Sequence, residues 1–157
     1  DALPICGMVL DYAAREPFWR RNLNYNHGTG HGVGYLGNIH EAPIGFRWKA
    51  TRDAMCEIEP GMVITNEPGI YIEGSHGIRI ENELLVRAGE KNEYGQFLYF
   101  EPLTFVPIDL DALRPELMTE EEKQLLNAYH QSVYEKISPY LEAEEKEWLK
   151  EYTRPVK

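Results

Sequence analysis

The sequence predicts an α+β fold, with helices at both ends and short strands in the middle. Residues 3–16 carry apolar side chains at helical spacing, which indicates a helix with one buried face that ends before Pro17. From residue 25 to residue 107, glycine recurs every few positions between short runs of β-branched and aromatic residues, as is typical of strands joined by turns. After Pro107 the pattern becomes helical again. The apolar positions of the first helix are Leu3, Ile5, Met8, Val9, Tyr12 and Ala13.

Five strands are predicted in the middle region. The segment around Ile78 and Ile80 alternates apolar and charged residues, so Arg79 and Glu81 should share one face and the isoleucines the other. Glu81 is therefore expected in the middle of a strand beside an apolar face, where a carboxylate needs a cation. The expected strands lie near residues 31–36, 62–66, 69–72, 78–87 and 97–107.

Two helices are predicted after Pro107. The first should begin at Thr119, because Thr119 and Glu122 have the residue types and spacing of a capping box. The second should begin at Ser138 and Pro139, a typical N-cap and first helical residue. The first helix should bury Leu125, Leu126, Tyr129, Val133 and Ile137, and the second Leu141, Trp148, Leu149 and Tyr152. We therefore divide the chain into a domain segment, residues 1–107, and a helical C-terminal extension packed on the same domain, residues 108–157.

Composition excludes several functions. A net charge of -10 argues against binding nucleic acid by phosphate neutralisation and against binding an anionic membrane. No apolar stretch approaches the length of a membrane span. Cys6 and Cys56 form neither a CxxC pair nor a disulfide-rich pattern, which indicates reduced cysteines in a cytoplasmic protein.

Five residues are candidates for a metal-dependent hydrolytic site. His27, His31 and His40 lie in the run HGTGHGVGYLGNIH, Glu67 in TNEPG and Glu81 in GIRIEN. Neutral imidazole and anionic carboxylates are the ligands that such sites use. From residue types alone, each candidate also has an ordinary structural interpretation: a polar surface histidine, a turn glutamate or an exposed strand glutamate.

Three ordered segments carry a family resemblance: HGTGHGVGYLGNIHEAP, PGMVITNEPGIYIEGSHGIRIENELLV and FEPLTFVPID. Together they resemble the pita-bread metallopeptidases of family M24, and among these the Xaa-Pro aminopeptidases, also called aminopeptidase P. The resemblance implies the C-terminal half of a pita-bread domain, with a curved antiparallel sheet, flanking helices and a helical extension. It also implies a hydrolase that releases the N-terminal residue from peptides with proline in second position.

The resemblance further implies a dinuclear metal site with five ligands: two Asp, one His and two Glu. In this sequence His31 matches the histidine ligand, Glu67 the first glutamate, and Glu81 the glutamate that bridges both ions. The two ions are expected to be Mn²⁺, with Zn²⁺ or Co²⁺ as alternatives.

Three further residues acquire roles through the same resemblance. His27 matches a histidine that lines the substrate pocket. His40 matches a histidine that hydrogen-bonds the substrate or the tetrahedral intermediate. Arg79 matches an arginine that steadies a carboxylate ligand and so fixes its geometry.

The two aspartate ligands of the family precede the HGTGH motif by a longer stretch than this chain contains. Only 26 residues precede His27, and their aspartates, Asp1 and Asp11, lie too near His31 to match. Asp11 is expected to be a solvent-facing residue of the first helix. We therefore expect a piece of a longer polypeptide, which holds three of the five ligands and is inactive alone.

Two alternatives remain open at this point. One is a related peptidase of the same family, such as a prolidase or a methionine aminopeptidase. The other is a non-catalytic pita-bread module that binds rather than cleaves. The expected partners are proline-containing peptides, and likeness to relatives with similar C-terminal helices suggests a homodimer.

Overall fold

The computed structural model describes residues 5–157 and confirms the α+β fold class. Asp1 and the expected start of the first helix at residue 3 lie outside the described residues. The contacts divide the chain into two compact units, the first ending at Thr104 and the second comprising Phe105–Lys157. Within residues 5–157, no helix combines the length and the apolar character that crossing a membrane requires.

Helix α1 comprises Gly7–Trp19 and continues past Pro17, because the amide of Arg20 still donates to the carbonyl of Glu16. The prediction of its end was therefore wrong. Its expected apolar face was also wrong, since Val9 and Tyr12 are 62% and 54% exposed. The helix instead buries residues spaced four apart: Gly7, Asp11 and Arg15.

Within the described residues, seven strands form three small antiparallel sheets. They are β1 Gly30–His31, β2 Gly45–Phe46, β3 Val63–Asn66, β4 Gly69–Ile72, β5 His76–Arg79, β6 Asn82–Asn92 and β7 Gly95–Pro102. Strand β1 pairs with β2 and β4 with β5, while the third sheet has the order β3-β6-β7. The strand expected over residues 31–36 is shorter than predicted, and β2 was not predicted.

The strand predicted over residues 78–87 is broken at Ile80 and Glu81. The break arises because β5 pairs with β4, whereas β6 pairs with β3 and β7. Glu81 therefore lies in the connection between two sheets and not in the middle of a strand. Ile78 and Ile80 are 53% and 44% exposed, so the apolar face expected there is only partly covered.

The core of the first unit includes residues of β2, β3 and β6, and β1 lies close against β3. Ile44, Phe46, Ile58, Ile64 and Val86 form its buried cluster. A Cβ atom on Gly30 would collide with the backbone carbonyl of Thr65, so only glycine allows this close approach. The approach places His31, the next residue, beside the end of β3.

The second unit contains two longer helices, α2 Glu120–Ile137 and α3 Ala143–Tyr152. The predicted capping box of Thr119 and Glu122 is confirmed. The predicted start of α3 was wrong: Ser138–Tyr140 forms a 3-10 turn. Glu142 is the N-cap of α3 instead, and its amide donates to the Glu145 carboxylate at 2.8 Å. The buried stripes were right for Leu126, Val133 and Leu149. They were wrong for Leu125, Trp148 and Tyr152, which are 66%, 55% and 40% exposed.

His130 on α2 is expected to make the stability of the second unit depend on pH. Its Nε2 accepts the amide of Ile108 at 3.0 Å, and burial lowers the pKa of its imidazole. Because the unfolded chain takes up this proton more readily, stability should be full above the ordinary histidine pKa, about 6.5, and fall as pH drops through it. Urea unfolding at pH 7.5 and 5.5 should show a smaller loss in His130→Gln, which retains an acceptor. Equal losses in both proteins would contradict this assignment.

Candidate metal and substrate site

His31 and Glu67 meet at the junction of β1 and the residues after β3. The amide of His31 donates to Thr65 Oγ1 at 3.0 Å, and that hydroxyl donates to Glu67 Oε1 at 2.8 Å. His31 Nε2 then lies 3.0 Å from the same Oε1. Both side chains are largely buried, with 13% and 10% of their surfaces exposed. Two predicted ligands are thus held together by a threonine between them.

The His31–Glu67 pair has the donor chemistry of a metal site. His31 Nδ1 lies 3.0 Å from the carbonyl of Gly32, and a carbonyl can only accept, so Nδ1 carries the proton. In the neutral ring the Nε2 lone pair then faces a carboxylate oxygen, and a cation bound to both atoms would satisfy both. Two ligand atoms bound at right angles to one ion, each at about 2.1 Å, stand roughly 3.0 Å apart. The pair therefore fits a divalent metal ion.

Glu81 lies on the wall of an adjoining cavity. This cavity of about 250 Å³ is lined in part by His31, Thr65, Glu81 and Glu83. Glu81 itself is exposed. Within residues 5–157, no three His, Cys, Asp or Glu side chains form a group that could hold an ion. The structure thus joins two of the three predicted ligands and places the third beside the same cavity.

Arg79 approaches the other oxygen of Glu67. Its Nη1 lies 3.4 Å from Glu67 Oε2, and its guanidinium carbon lies 5.5 Å from the centre of the Tyr71 ring. Glu67 is only 8% exposed, and a buried carboxylate needs opposite charge nearby. Arg79 therefore contacts Oε2 of Glu67, while His31 contacts Oε1.

The other two predicted histidines have different surroundings. The exposed ring of His40 has its centroid 4.1 Å from that of His31. His27 packs its ring on Tyr25 and Tyr71, at centroid distances of 4.8 and 5.6 Å. Its Nδ1 lies 2.7 Å from the Gly28 carbonyl, and its buried Nε2 has no hydrogen-bond partner in the part of the chain that the structure describes. That Nε2 is an acceptor without a donor.

Sequence reasoning missed Thr65 and misplaced Asp11. Thr65 and Glu67 are two residues apart, so their side chains lie on the same side of an extended segment. That spacing was the available signal. Asp11 is fully buried, because it pairs with Arg15 at 2.6 Å and accepts a hydrogen bond from Thr29. The expectation of a solvent-facing Asp11 was therefore wrong, and its spacing of four from Arg15 was the available signal.

Replacing Thr65 with valine should weaken the first unit. Valine keeps the shape but leaves the His31 amide and Glu67 Oε1 without their shared partner, which costs about 1–3 kcal/mol for a buried group. Urea unfolding of Thr65→Val, with Thr65→Ser as the matched control, measures this loss. A Thr65→Val protein as stable as Thr65→Ser would show that the hydroxyl contributes nothing.

Two family models match the chain. Residues 5–88 match the model described as metallopeptidase family M24, and residues 96–156 match the C-terminal region of peptidase M24. Aminopeptidase P2 of Arabidopsis thaliana is 45% identical over 96% of this chain and 21% of its own length. A probable Xaa-Pro aminopeptidase P of Talaromyces marneffei is 44% identical over 96% of this chain and 24% of its own length.

A solved structure shows the same fold. X-prolyl aminopeptidase from Caenorhabditis elegans, described as a cytosolic enzyme with a di-nuclear active site, matches with a TM-score of 0.89 and 36% identity. The match covers 99% of this chain and 26% of that one. The chain thus has the fold of part of a pita-bread aminopeptidase and spans between a fifth and a quarter of the curated relatives' length.

Proposed function

The chain belongs to metallopeptidase family M24, and from this we propose that its whole protein is a Xaa-Pro aminopeptidase. Such an enzyme releases the N-terminal residue from peptides whose second residue is proline. The observation that carries the proposal is His31 Nε2 facing Glu67 Oε1 at 3.0 Å, with Arg79 beside the other carboxylate oxygen. Similarity to aminopeptidase P relatives over almost the whole chain supports this substrate class.

We propose His31, Glu67 and Glu81 as ligands of two divalent metal ions, most simply Mn²⁺. The di-nuclear site described for the Caenorhabditis elegans enzyme supports the number of ions, and the mixed imidazole and carboxylate set suits Mn²⁺ while permitting Zn²⁺ or Co²⁺. Two further aspartate ligands are expected from other parts of the protein. When bound, the ions supply a water of lowered pKa and polarise the scissile carbonyl.

His40 and His27 are proposed to bind substrate. His40 lies beside His31 and can donate a hydrogen bond to the oxygen of the carbonyl under attack, where negative charge develops. His27, whose ring packs on Tyr25 and Tyr71, would line the substrate pocket. Arg79 would hold Glu67 in its ligating orientation.

Hydrolysis of Arg-Pro-Pro by the whole protein with Mn²⁺ tests this proposal. We expect release of arginine from the tripeptide, and much slower cleavage of the dipeptide Arg-Pro. Preferred cleavage of the dipeptide would identify a prolidase instead. Failure to cleave either peptide, while the Arabidopsis relative cleaves the tripeptide in the same buffer, would contradict the proposal.

The 157-residue chain alone should show negligible turnover of Arg-Pro-Pro at any Mn²⁺ concentration. Its described residues bring only His31 and Glu67 together, which leaves an ion weakly held and its water insufficiently activated. The measurement compares arginine release by the chain with release in buffer containing Mn²⁺. Robust release that EDTA abolishes would refute this expectation.

We also propose a cytoplasmic location and a homodimer for the whole protein. The description of the Caenorhabditis elegans enzyme as cytosolic supports the location. Light scattering on the whole protein tests the dimer, and a monomeric mass at micromolar concentration would contradict it.

A further inference from the structure

A buried polar cluster lies next to the loop that carries His27. It consists of Asp11, Arg15, Tyr25 and Thr29, with exposures of 0%, 4%, 3% and 1%. We call these four residues the anchor cluster. None of them belongs to the proposed ligands or substrate-binding residues, so the presence of buried charges here needs another explanation.

Arg15 uses its guanidinium to hold backbone carbonyls of the loop. Nε donates to Asp11 Oδ2 at 2.6 Å, and Nη1 and Nη2 donate to the carbonyls of Tyr25 and His27, each at 2.7 Å. The guanidinium carbon lies 4.0 Å from the centre of the Tyr25 ring. These bonds fix the backbone on both sides of residue 26, and with it the base of the His27 side chain.

Thr29 extends the same network to Glu67. Its hydroxyl donates to Asp11 Oδ1 and bonds the Tyr25 hydroxyl at 2.5 Å. Its backbone carbonyl accepts the amide of Glu67 at 2.7 Å. A continuous chain of hydrogen bonds therefore runs from helix α1 to the backbone of a proposed metal ligand.

We propose that Asp11 and Arg15 are positioning residues, which orient the His27 ring and fix Glu67 through the backbone of residues 25–29. The proposal deepens the proposed function and rests on it for the roles of His27 and Glu67. Buried ion pairs are often no more stabilising than apolar residues of similar volume, so stability alone does not account for this one. A guanidinium offers directed donors in a rigid fork, which a lysine cannot reproduce.

Histidine-ring ¹⁵N spectra of the 157-residue chain test the His27 part. We expect a single Nδ1–H tautomer for His27 in the wild type, and a mixture of both tautomers in Arg15→Lys and in Thr29→Val. Thr29→Ser retains the hydroxyl and should restore the wild-type signal. Leu98→Ala removes a side chain that packs on the core elsewhere, and it should leave the signal unchanged.

Hydrogen exchange tests the Glu67 part in the same samples. The Glu67 amide should exchange at least ten-fold faster in Arg15→Lys and Thr29→Val. The Val86 amide, bonded to the Met62 carbonyl at 2.9 Å, should keep its rate. Equal acceleration of both amides would report general destabilisation and would overturn the positioning role.

An unchanged His27 tautomer in Arg15→Lys and Thr29→Val would also overturn the proposal, as would an equal change in Leu98→Ala. If Arg15→Lys does not fold, the comparison of Thr29→Val with Thr29→Ser is sufficient by itself. Valine keeps the volume of the threonine side chain and removes only its hydroxyl. None of these readouts needs metal. A whole protein that does not bind Mn²⁺ would therefore count against the proposed function and not against the positioning.

Discussion

Replacing Glu67 with alanine in the whole protein is expected to lower Mn²⁺ affinity and Arg-Pro-Pro hydrolysis by more than about 100-fold. Substitutions of residues that only support metal ligands already cost about 10–100-fold, and loss of a ligand should cost more. Glu67 is the residue on which His31, Thr65 and Arg79 converge, at 3.0, 2.8 and 3.4 Å. Its loss therefore removes a ligand and leaves Arg79 without its carboxylate.

Metal content and kcat/KM of the purified protein measure this effect. Glu73→Ala is the matched control, since Glu73 is an exposed glutamate in the turn between β4 and β5. It should retain wild-type metal content and activity. Full metal content and full activity in Glu67→Ala would remove Glu67 from the proposed site.

The second large effect concerns folding. Replacing Asp11 with alanine should destabilise the first unit by about 3–5 kcal/mol, because Arg15 would remain buried without its counter-charge. Small domains have only about 5–15 kcal/mol of stability in total, so this loss is a large share of it. Urea unfolding of the 157-residue chain, followed by circular dichroism, measures the loss.

A double substitution separates charge burial from packing. Asp11→Leu combined with Arg15→Met removes both charges and should be less destabilising than Asp11→Ala alone. The exposed pair of Arg87 and Glu101, 2.5 Å apart, offers the matched surface case. Glu101→Ala should cost at most about 1 kcal/mol. If Asp11→Ala lowers the free energy of unfolding no more than Glu101→Ala does, the buried pair does not stabilise α1 more than a surface pair would.

Sequence patterns correctly predicted those elements whose bounds depend mainly on neighbouring residues. Turns at the glycine and proline positions bracket β3 and β4, which lie close to their predicted bounds. The capping box at Thr119 is likewise set by neighbouring residues. The apolar pattern failed for α1, because that helix buries an ion pair where hydrophobic residues were expected.

Long-range contacts account for the remaining differences. Strand β2 has two residues and exists only through its pairing with β1, so no local pattern reveals it. The break at Glu81 arises because β5 pairs with β4 whereas β6 pairs with β3 and β7. In the same way, the sequence motifs identified His31 and Glu67 as candidates. The short distance between these two side chains, however, depends on the contact of Gly30 with Thr65.

The account depends most on the claim that His31 and Glu67 share a metal ion. Paramagnetic broadening of histidine-ring signals by millimolar Mn²⁺, measured on the 157-residue chain, tests that claim directly. We expect Mn²⁺ to broaden His31 together with its neighbour His40, whose ring centroid lies 4.1 Å away, to lose this effect in Glu67→Ala, and to keep it in Glu73→Ala. A His31 signal that Mn²⁺ leaves sharp, or that broadens equally in Glu67→Ala, would contradict the account.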